Sequence, residues 1–430
     1  MQNQTIPSFE QLLNHPDPAR RLEALEALIA LERSGALPAP QPGGFVNNHI
    51  HTIYSFSPYS PTAAAYHARK AGLCTAGIMD HDSVGGCGEF LRAGEILGMP
   101  VTVGFELRVD MRATPFAGRT LNNPDQRSVA YVAAHGIPHQ KLADCENFLA
   151  PLRARRNIRN RKMVGRLNDI LAEHALSIDF DKDILPLSRH MDGGSVTERH
   201  ILCGLSGRII DAYGRGGDTV AFLRDRLGLA ISTKIQGYLL QSDNPHYLYD
   251  LIGVLKGGLV GRFYVDATDE CPDIHAFVRF VNGIGAISAY AYLGDVTDSV
   301  TGDKKAQKFE DGCLDELCAY MKEIGMHAIT YMPSRNTMEQ LLRVMALCAA
   351  NGLLQISGED INTSRQPFIC TALADPAFAH LNAATWVLIG HERAASRDIE
   401  EGMFAVRALQ KWPGLEERVR VFAERGREEK

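Results

Sequence analysis

The sequence predicts an α/β fold: a largely parallel sheet of βα units, preceded by a helical leader, interrupted by a helical insertion and followed by a helical extension. Three observations carry that expectation. From Phe45 onward, short apolar runs alternate with helical stretches; the alternation stops over roughly 143–245; and after Gly257 it returns. The boundaries expected from this rhythm are a leader over 1–42, a barrel-type domain over 43–375 with its insertion at 143–245, and a helical extension over 376–430.

In the leader, Asp17 can cap a helix, Pro18 suits its first turn, and Leu22, Leu25, Leu28, Ile29 and Leu31 form one apolar stripe ending before Gly35. LPAPQPGG then breaks the chain. Strands are expected near 45–50, 75–79, 101–105 and 129–137, with helices near 62–71 and 88–98 between them, closed by Gly72 and Gly98. The insertion opens with a helix over 147–173 carrying Arg153, Arg155, Arg156, Arg159, Arg161, Lys162 and Arg166. That run reads either as a solvated face or as a surface steering phosphate-bearing substrates. Further helices fit 197–205, 218–227 and 245–256. Strands then return near 261–266, 285–290, 326–331 and 353–357, separated by helices at 273–281, 308–324 and 336–350, and a last helical stretch covers 397–427.

Composition excludes several classes. A chain of 430 residues with 45% hydrophobic residues can bury a large core and is not a disordered segment. No run approaches the ~20 apolar residues of a membrane helix, and the N-terminus has neither the basic start nor the apolar stretch of a secretory signal, so a cytoplasmic protein is expected. Nine cysteines without a CxxC pair suggest reduced, buried thiols rather than a zinc knuckle or disulfide framework. A net charge of −6 gives no reason to expect stable binding of duplex nucleic acid.

The chemistry is concentrated in four words: NNHIHT at 47–52, MDHDSVGG at 79–86, GFEL at 104–107 and SGEDIN at 357–362. His49 and His51 are two residues apart, so on a strand both imidazoles leave the same face. Each word follows an apolar strand run, and the intervals from His49 to His81 and from His81 to Glu106 are 32 and 25 residues, about one βα unit each. In a parallel barrel such strand ends gather on one rim, where catalytic groups sit. His49, His51, His81, Glu106 and Asp360 would then converge. Imidazole and carboxylate without thiolate suit Zn²⁺, Mn²⁺ or Fe²⁺, and Glu106 can bridge two ions. Paired ions suit hydrolysis of phosphate esters.

These words resemble the polymerase-and-histidinol-phosphatase (PHP) family, whose pattern runs D-L-H-x-H-T, T-D-H-D before glycine, G-x-E, and G-S-D-x-H. GFVNNHIHTIYS, AGIMDHDSVGG, VGFEL and ISGEDIN follow in the same order across roughly 43–370. The arginine-rich helix followed by GGSVTERHI is similar to the subgroup whose helical insertion ends near a histidine of the metal site, here His200. The resemblance implies a distorted (β/α)7 TIM-like barrel, a centre of two or three metal ions, of which two divalent transition-metal ions (Zn, Mn or Fe) are expected here, and hydrolysis of a small phosphomonoester or short oligonucleotide by a metal-bound hydroxide. It implies His49, His51, Asp360 and Glu106 around one ion, with Glu106, His200 and either His135 or His139 around the other, His135 being preferred.

The departures are equally specific. Phe56 stands where the family has an aspartate, Asn362 where it has the last histidine, Tyr290 where it often has a histidine after the strand, and Asn47 where an aspartate precedes H-x-H. A third ion is therefore not expected. His81 stays open as a ligand, a general acid or a hydrogen-bonded loop residue, and Arg335 and Arg365 are candidates to grip a phosphate. The alternative reading is a PHP-like protein that binds metal or ligand without turnover.

Overall fold

The structure, a computed structural model, describes residues 6–41, 43–296 and 307–428. The leader forms α1 (Ile6–Leu12) and α2 (Pro18–Arg33); the expected leader's first five residues and Pro42 lie outside the described residues. Asp17 caps α2 by accepting from the Ala19 N–H, and the stripe of Leu25, Leu28 and Ile29 is buried. Arg21, fully buried, donates from Nε to Glu89 at 2.8 Å and so ties the leader to the barrel's helical layer.

Seven strands follow in the order β1 (Phe45–Ile50), β2 (Leu73–His81), β3 (Val101–Asp110), β4 (Val129–His135), β5 (Ile287–Ala291), β6 (Ala328–Tyr331) and β7 (Leu354–Ser357), each hydrogen-bonded to the next. Helices α3 (Pro61–Lys70) and α4 (Cys87–Leu97) link the first strands. Between β4 and β5 come α5 (Leu142–Leu171), α6 (Glu198–Tyr213), α7 (Gly217–Ala221), α8 (Thr233–Leu240), α9 (Tyr247–Phe263) and α10 (Ile274–Gly283). Helices α11 (Leu314–Glu323) and α12 (Met338–Asn351) link β5 to β7, and α13 (Ala379–Arg397), α14 (Val406–Lys411) and α15 (Leu415–Arg427) finish the described chain. The result is an α/β barrel of seven strands, nearly closed, with helical extensions.

Two corrections concern the sheet. The expected strand at 261–266 does not form: α9 runs through Phe263, because Leu251, Leu255, Leu259 and Phe263 are buried on one helical face. GRFYVD has strand-forming residues, but the preceding helical stripe continues into it. The second correction is that β4 runs antiparallel to both its neighbours, with Glu106 opposite Ala133 and His135 opposite Ile287. His135 therefore lies deeper in the barrel than the rim, two residues along from Ala133 and so on the same interior face as Glu106. β3 also extends through Asp110, so Glu106 lies within the strand rather than after it.

The sheet closes at the β1–β7 edge through a short bridge. The His51 N–H donates to the Ile361 carbonyl at 2.9 Å, and the Ile361 N–H to the His49 carbonyl at 3.1 Å. A side chain at Gly358 would come within 2.6 Å of the His49 Cβ, so this approach requires glycine. The opposite end is plugged by α13. Val387 and Leu388 pack with Met79, Ile287 and Ile356 inside the barrel. Glu392 accepts from the Thr102 hydroxyl, the Val103 N–H and His139 Nε2 at 2.7, 2.9 and 2.8 Å.

Candidate metal centre

His49 lies at the end of β1 and His51 follows it, both held by the bridge to Ile361, while His81 and Glu106 are register partners on β2 and β3. Glu106 Oε1 lies 3.5 Å from His49 Nε2, 3.3 Å from His51 Nε2 and 2.9 Å from His81 Nδ1. The edge bridge brings Asp360 Oδ1 to 3.1 Å from His51 Nε2. Among the described residues, ligand atoms of His49, His51 and Glu106 all lie within 4.8 Å of one another.

The tautomer of His51 follows from its neighbours. Ser55 donates its hydroxyl proton to Asp80 at 2.6 Å, and its oxygen lies 3.1 Å from His51 Nδ1. Ser55 can therefore only accept from His51, which places the imidazole proton on Nδ1 and a lone pair on Nε2. Nε2 of His51 and of His49 are buried and have no hydrogen-bond partner. Two such nitrogens facing a carboxylate oxygen suit a divalent cation between them, and this donor set fits Zn²⁺, Mn²⁺ or Fe²⁺.

Electrostatics show how strongly the buried carboxylates attract positive charge here. Burial opposes charge on His49, yet Glu106, Asp360 and Asp80 outweigh it and raise the imidazole to about 8. Burial likewise opposes charge on Glu106, but His81 and His49 hold it well below the usual carboxylate range. Burial moves His51 downward, toward the neutral form a metal requires.

Of the other expected residues, His135 lies close enough to feel the charges of His49 and Glu106. His135 is buried, with Nε2 unpartnered and its value depressed to about 3, chiefly by burial. It does not line the cavity described below. His139 belongs to the plugged end, where it meets Glu392. His200 Nδ1 accepts from the Thr197 N–H at 3.0 Å as part of the α6 cap, and its ring meets Phe56 edge-on at 5.0 Å. Phe56 adopts φ 89°, a strained backbone for an aromatic residue, and joins the insertion's hydrophobic core. Tyr290 is fully buried in the cluster that includes Cys313 and Cys318, on the helix-facing side of the sheet, so it does not occupy a ligand position. Arg365 pairs with Asp250 at 2.6 Å and stacks on Tyr238 at 4.0 Å; it does not line the cavity.

Above the His–Glu cluster is a cavity of about 700 Å³ between the barrel mouth and the insertion. Arg335, Arg199 and Lys256 line it. Arg335 donates to the Leu293 carbonyl at 3.1 Å and Arg199 to the Asn362 carbonyl at 3.3 Å. Among the described residues, none of the three pairs with a carboxylate. Lys256 is pushed down to about 8, first by the neighbouring Arg199. Sequence reading passed over Ser55, Arg199 and Lys256, and it left Asp80 without a role. Asp80's place beside His81 was visible, but its contact with the 52–55 turn is made only by the fold.

The arginine run of α5 divides. Arg161, Lys162 and Arg166 are exposed, whereas Arg153, Arg156 and Arg159 are buried. Arg156 pairs with Asp82, and Arg108 and Arg159 share Glu270 at 3.0 and 2.6 Å. Glu198, next to Arg199, accepts from Arg159 at 2.6 Å and lies near Arg108 and Arg156. These pairs tie the insertion to the rim and neutralise the buried half of the run.

No family model matches the sequence, and no curated protein does. Among solved structures, the chain is similar to a protein from Bifidobacterium adolescentis described as a metal-dependent phosphoesterase. They are 20% identical, 79% of this chain and 95% of that chain are covered, and the TM-score is 0.52. It is also similar to an amidohydrolase from Chromobacterium violaceum with bound sulfate and no metal, at 16% identity, covering 79% of this chain and 96% of that one, with a TM-score of 0.48. The first of these likenesses shows the barrel fold alone. No described helix is long and apolar enough to cross a membrane.

Proposed function

We propose that the chain is a metal-dependent hydrolase of phosphate esters, of the PHP kind, acting on a small phosphomonoester or a short oligonucleotide. The observation that carries this reading is the pair of buried, unpartnered Nε2 atoms of His49 and His51 facing Glu106, open to a cavity with three cations that lack carboxylate partners. His49, His51 and Glu106 would hold one divalent ion, with Asp360 reaching it from the β7 side. A second ion would need His200 to leave the α6 cap, so one ion is the smaller requirement.

The chemistry supplied there is polarisation of a phosphoryl oxygen and activation of a water near neutral pH. The chain's own groups then do the following. Arg335 and Arg199 offset negative charge on the non-bridging oxygens. The ester P–O bond breaks as the oxygen of water bonds to phosphorus, and the departing alcohol oxygen takes a proton. His81 holds Glu106 through Nδ1, which leaves Nε2 as the nitrogen able to deliver that proton.

A screen of phosphomonoesters and short diesters with added Mn²⁺ or Zn²⁺ tests this directly. Turnover that fails in Glu106→Gln supports it. The second reading is a binding protein without turnover, favoured by the use of His200 as a helix cap and by Phe56 in place of an acid. Metal held at full occupancy with no turnover anywhere in the panel would establish that reading instead.

A further inference from the structure

Helix α9 forms one wall of the cavity and carries glycine at 253, 257, 258 and 261. Glycine costs a helix interior about 1 kcal/mol against alanine, so four in one helix call for a reason. Gly258 has one, because a side chain there would strike Leu229 at 2.8 Å. Gly253 and Gly257 do not: a Cβ at either would meet nothing within 4 Å. Both line the cavity, one turn apart on the face that also presents Val260, and Leu202 of α6 lies on the same wall. The space they leave open is thus cavity space. His49 and His51, only 9% and 0% exposed, line the same cavity from the barrel side, their Nε2 atoms turned to Glu106.

We propose that Gly253 and Gly257 set the size of the group attached to the phosphate, holding the α9 wall back so that a bulky body, such as an aromatic ring, rests against the bare helix backbone, with Leu202 and Val260 buried beneath it in the insertion's core. The identity of the head group rests on the phosphoesterase reading; the wall itself does not. A flat glycine surface favours a flat partner, because backbone atoms then touch the ring over its whole face. A small alkyl phosphate would leave that wall unfilled and gain nothing from it.

The test is binding of two phosphonates that no hydrolase can cleave, methylphosphonate and naphthylmethylphosphonate, measured calorimetrically on the full chain with Mn²⁺ present. Gly253→Leu and Gly257→Leu fill the wall, and Gly261→Leu, on the same helix but not lining the cavity, is the control. The wild type is expected to bind the naphthyl compound at least tenfold more tightly. Each wall variant should lose about tenfold for the naphthyl compound and less than twofold for the methyl one, while the control loses neither. Melting temperatures should not fall, since leucine is the better helix former. Equal affinity of the wild type for both compounds, no binding of either, or equal losses for both compounds in the wall variants would overturn the assignment. Selective binding without turnover of the corresponding phosphate esters would refute the hydrolase reading and leave the role of the wall standing.

Discussion

Ser55 and Asp80 share one proton-donating contact, at 2.6 Å, and that contact determines how the nearest histidine behaves. With its proton committed to Asp80, the Ser55 oxygen accepts from His51 Nδ1, so the opposite ring nitrogen faces Glu106 as a bare lone pair. Asp80 is held in turn by the Thr52 N–H and hydroxyl at 2.7 and 2.6 Å. An aspartate on β2 thereby orients a ligand that follows β1, while Asn47 accepts from the His49 N–H and donates to the Glu359 carbonyl.

Breaking that chain should cost metal affinity rather than fold. Ser55→Ala removes the acceptor for Nδ1–H and is expected to weaken Mn²⁺ or Zn²⁺ binding by about 10–100-fold, as loss of such orienting partners does. Titration against a chromophoric chelator reads it. Unchanged affinity would mean that His51 is oriented by packing alone.

The two candidate arginines should separate cleanly. Arg335→Ala is expected to raise KM for a phosphate ester about tenfold with little change in melting temperature, because Arg335 lines the cavity. Arg365→Ala should leave KM alone and destabilise by about 2 kcal/mol, because it strips buried Asp250 of a charge-assisted hydrogen bond. The reverse pattern would return Arg365 to the substrate.

Much of this was legible in the sequence, for reasons that also mark its limits. The two-residue spacing of His49 and His51 dictates a shared face on any strand, and apolar runs before His81 and Glu106 place them at neighbouring strand positions. Strand direction leaves no such mark, since alternation reads the same both ways, and the antiparallel course of β4 is therefore invisible in the sequence. The run at 261–266 favours a strand locally, but the helix that precedes it carries its buried stripe on to Phe263. The buried half of the α5 arginines was hidden for a related reason. Their partners Asp82, Glu198 and Glu270 are far away in sequence, and only the fold brings them together.

That network should respond to loss of its hub. Glu198→Gln leaves Arg108, Arg156 and Arg159 short of one negative charge in a buried setting and should destabilise by about 3 kcal/mol. Arg161→Ala, whose pair with Asp181 is exposed, should cost under about 1 kcal/mol. Chemical denaturation of both variants decides whether the insertion is anchored here.

Glu310 gives a pH dependence with a definite sign. It is fully buried, Oε2 has no partner, and burial raises its carboxyl to about 7. A raised folded value stabilises fully below the unfolded value, near 4.5, and that contribution is lost as pH climbs through about 7. Glu310→Gln keeps the acceptor used by the Leu293 N–H and removes the ionisation. The variant should gain up to ~3 kcal/mol over the wild type at pH 8 and nothing at pH 4. Parallel stability curves for the two proteins across that range would contradict this.

The most direct measurement is the metal content of protein purified without chelator, wild type beside His51→Ala and Glu106→Gln. The expected result is at least one transition-metal ion per chain in the wild type and less than about a tenth of that in either variant, as a buried site loses affinity with each ligand. A metal-free wild type that also fails to take up Mn²⁺ or Zn²⁺ on titration, or variants that keep the wild-type content, would contradict a metal centre built on His49, His51 and Glu106.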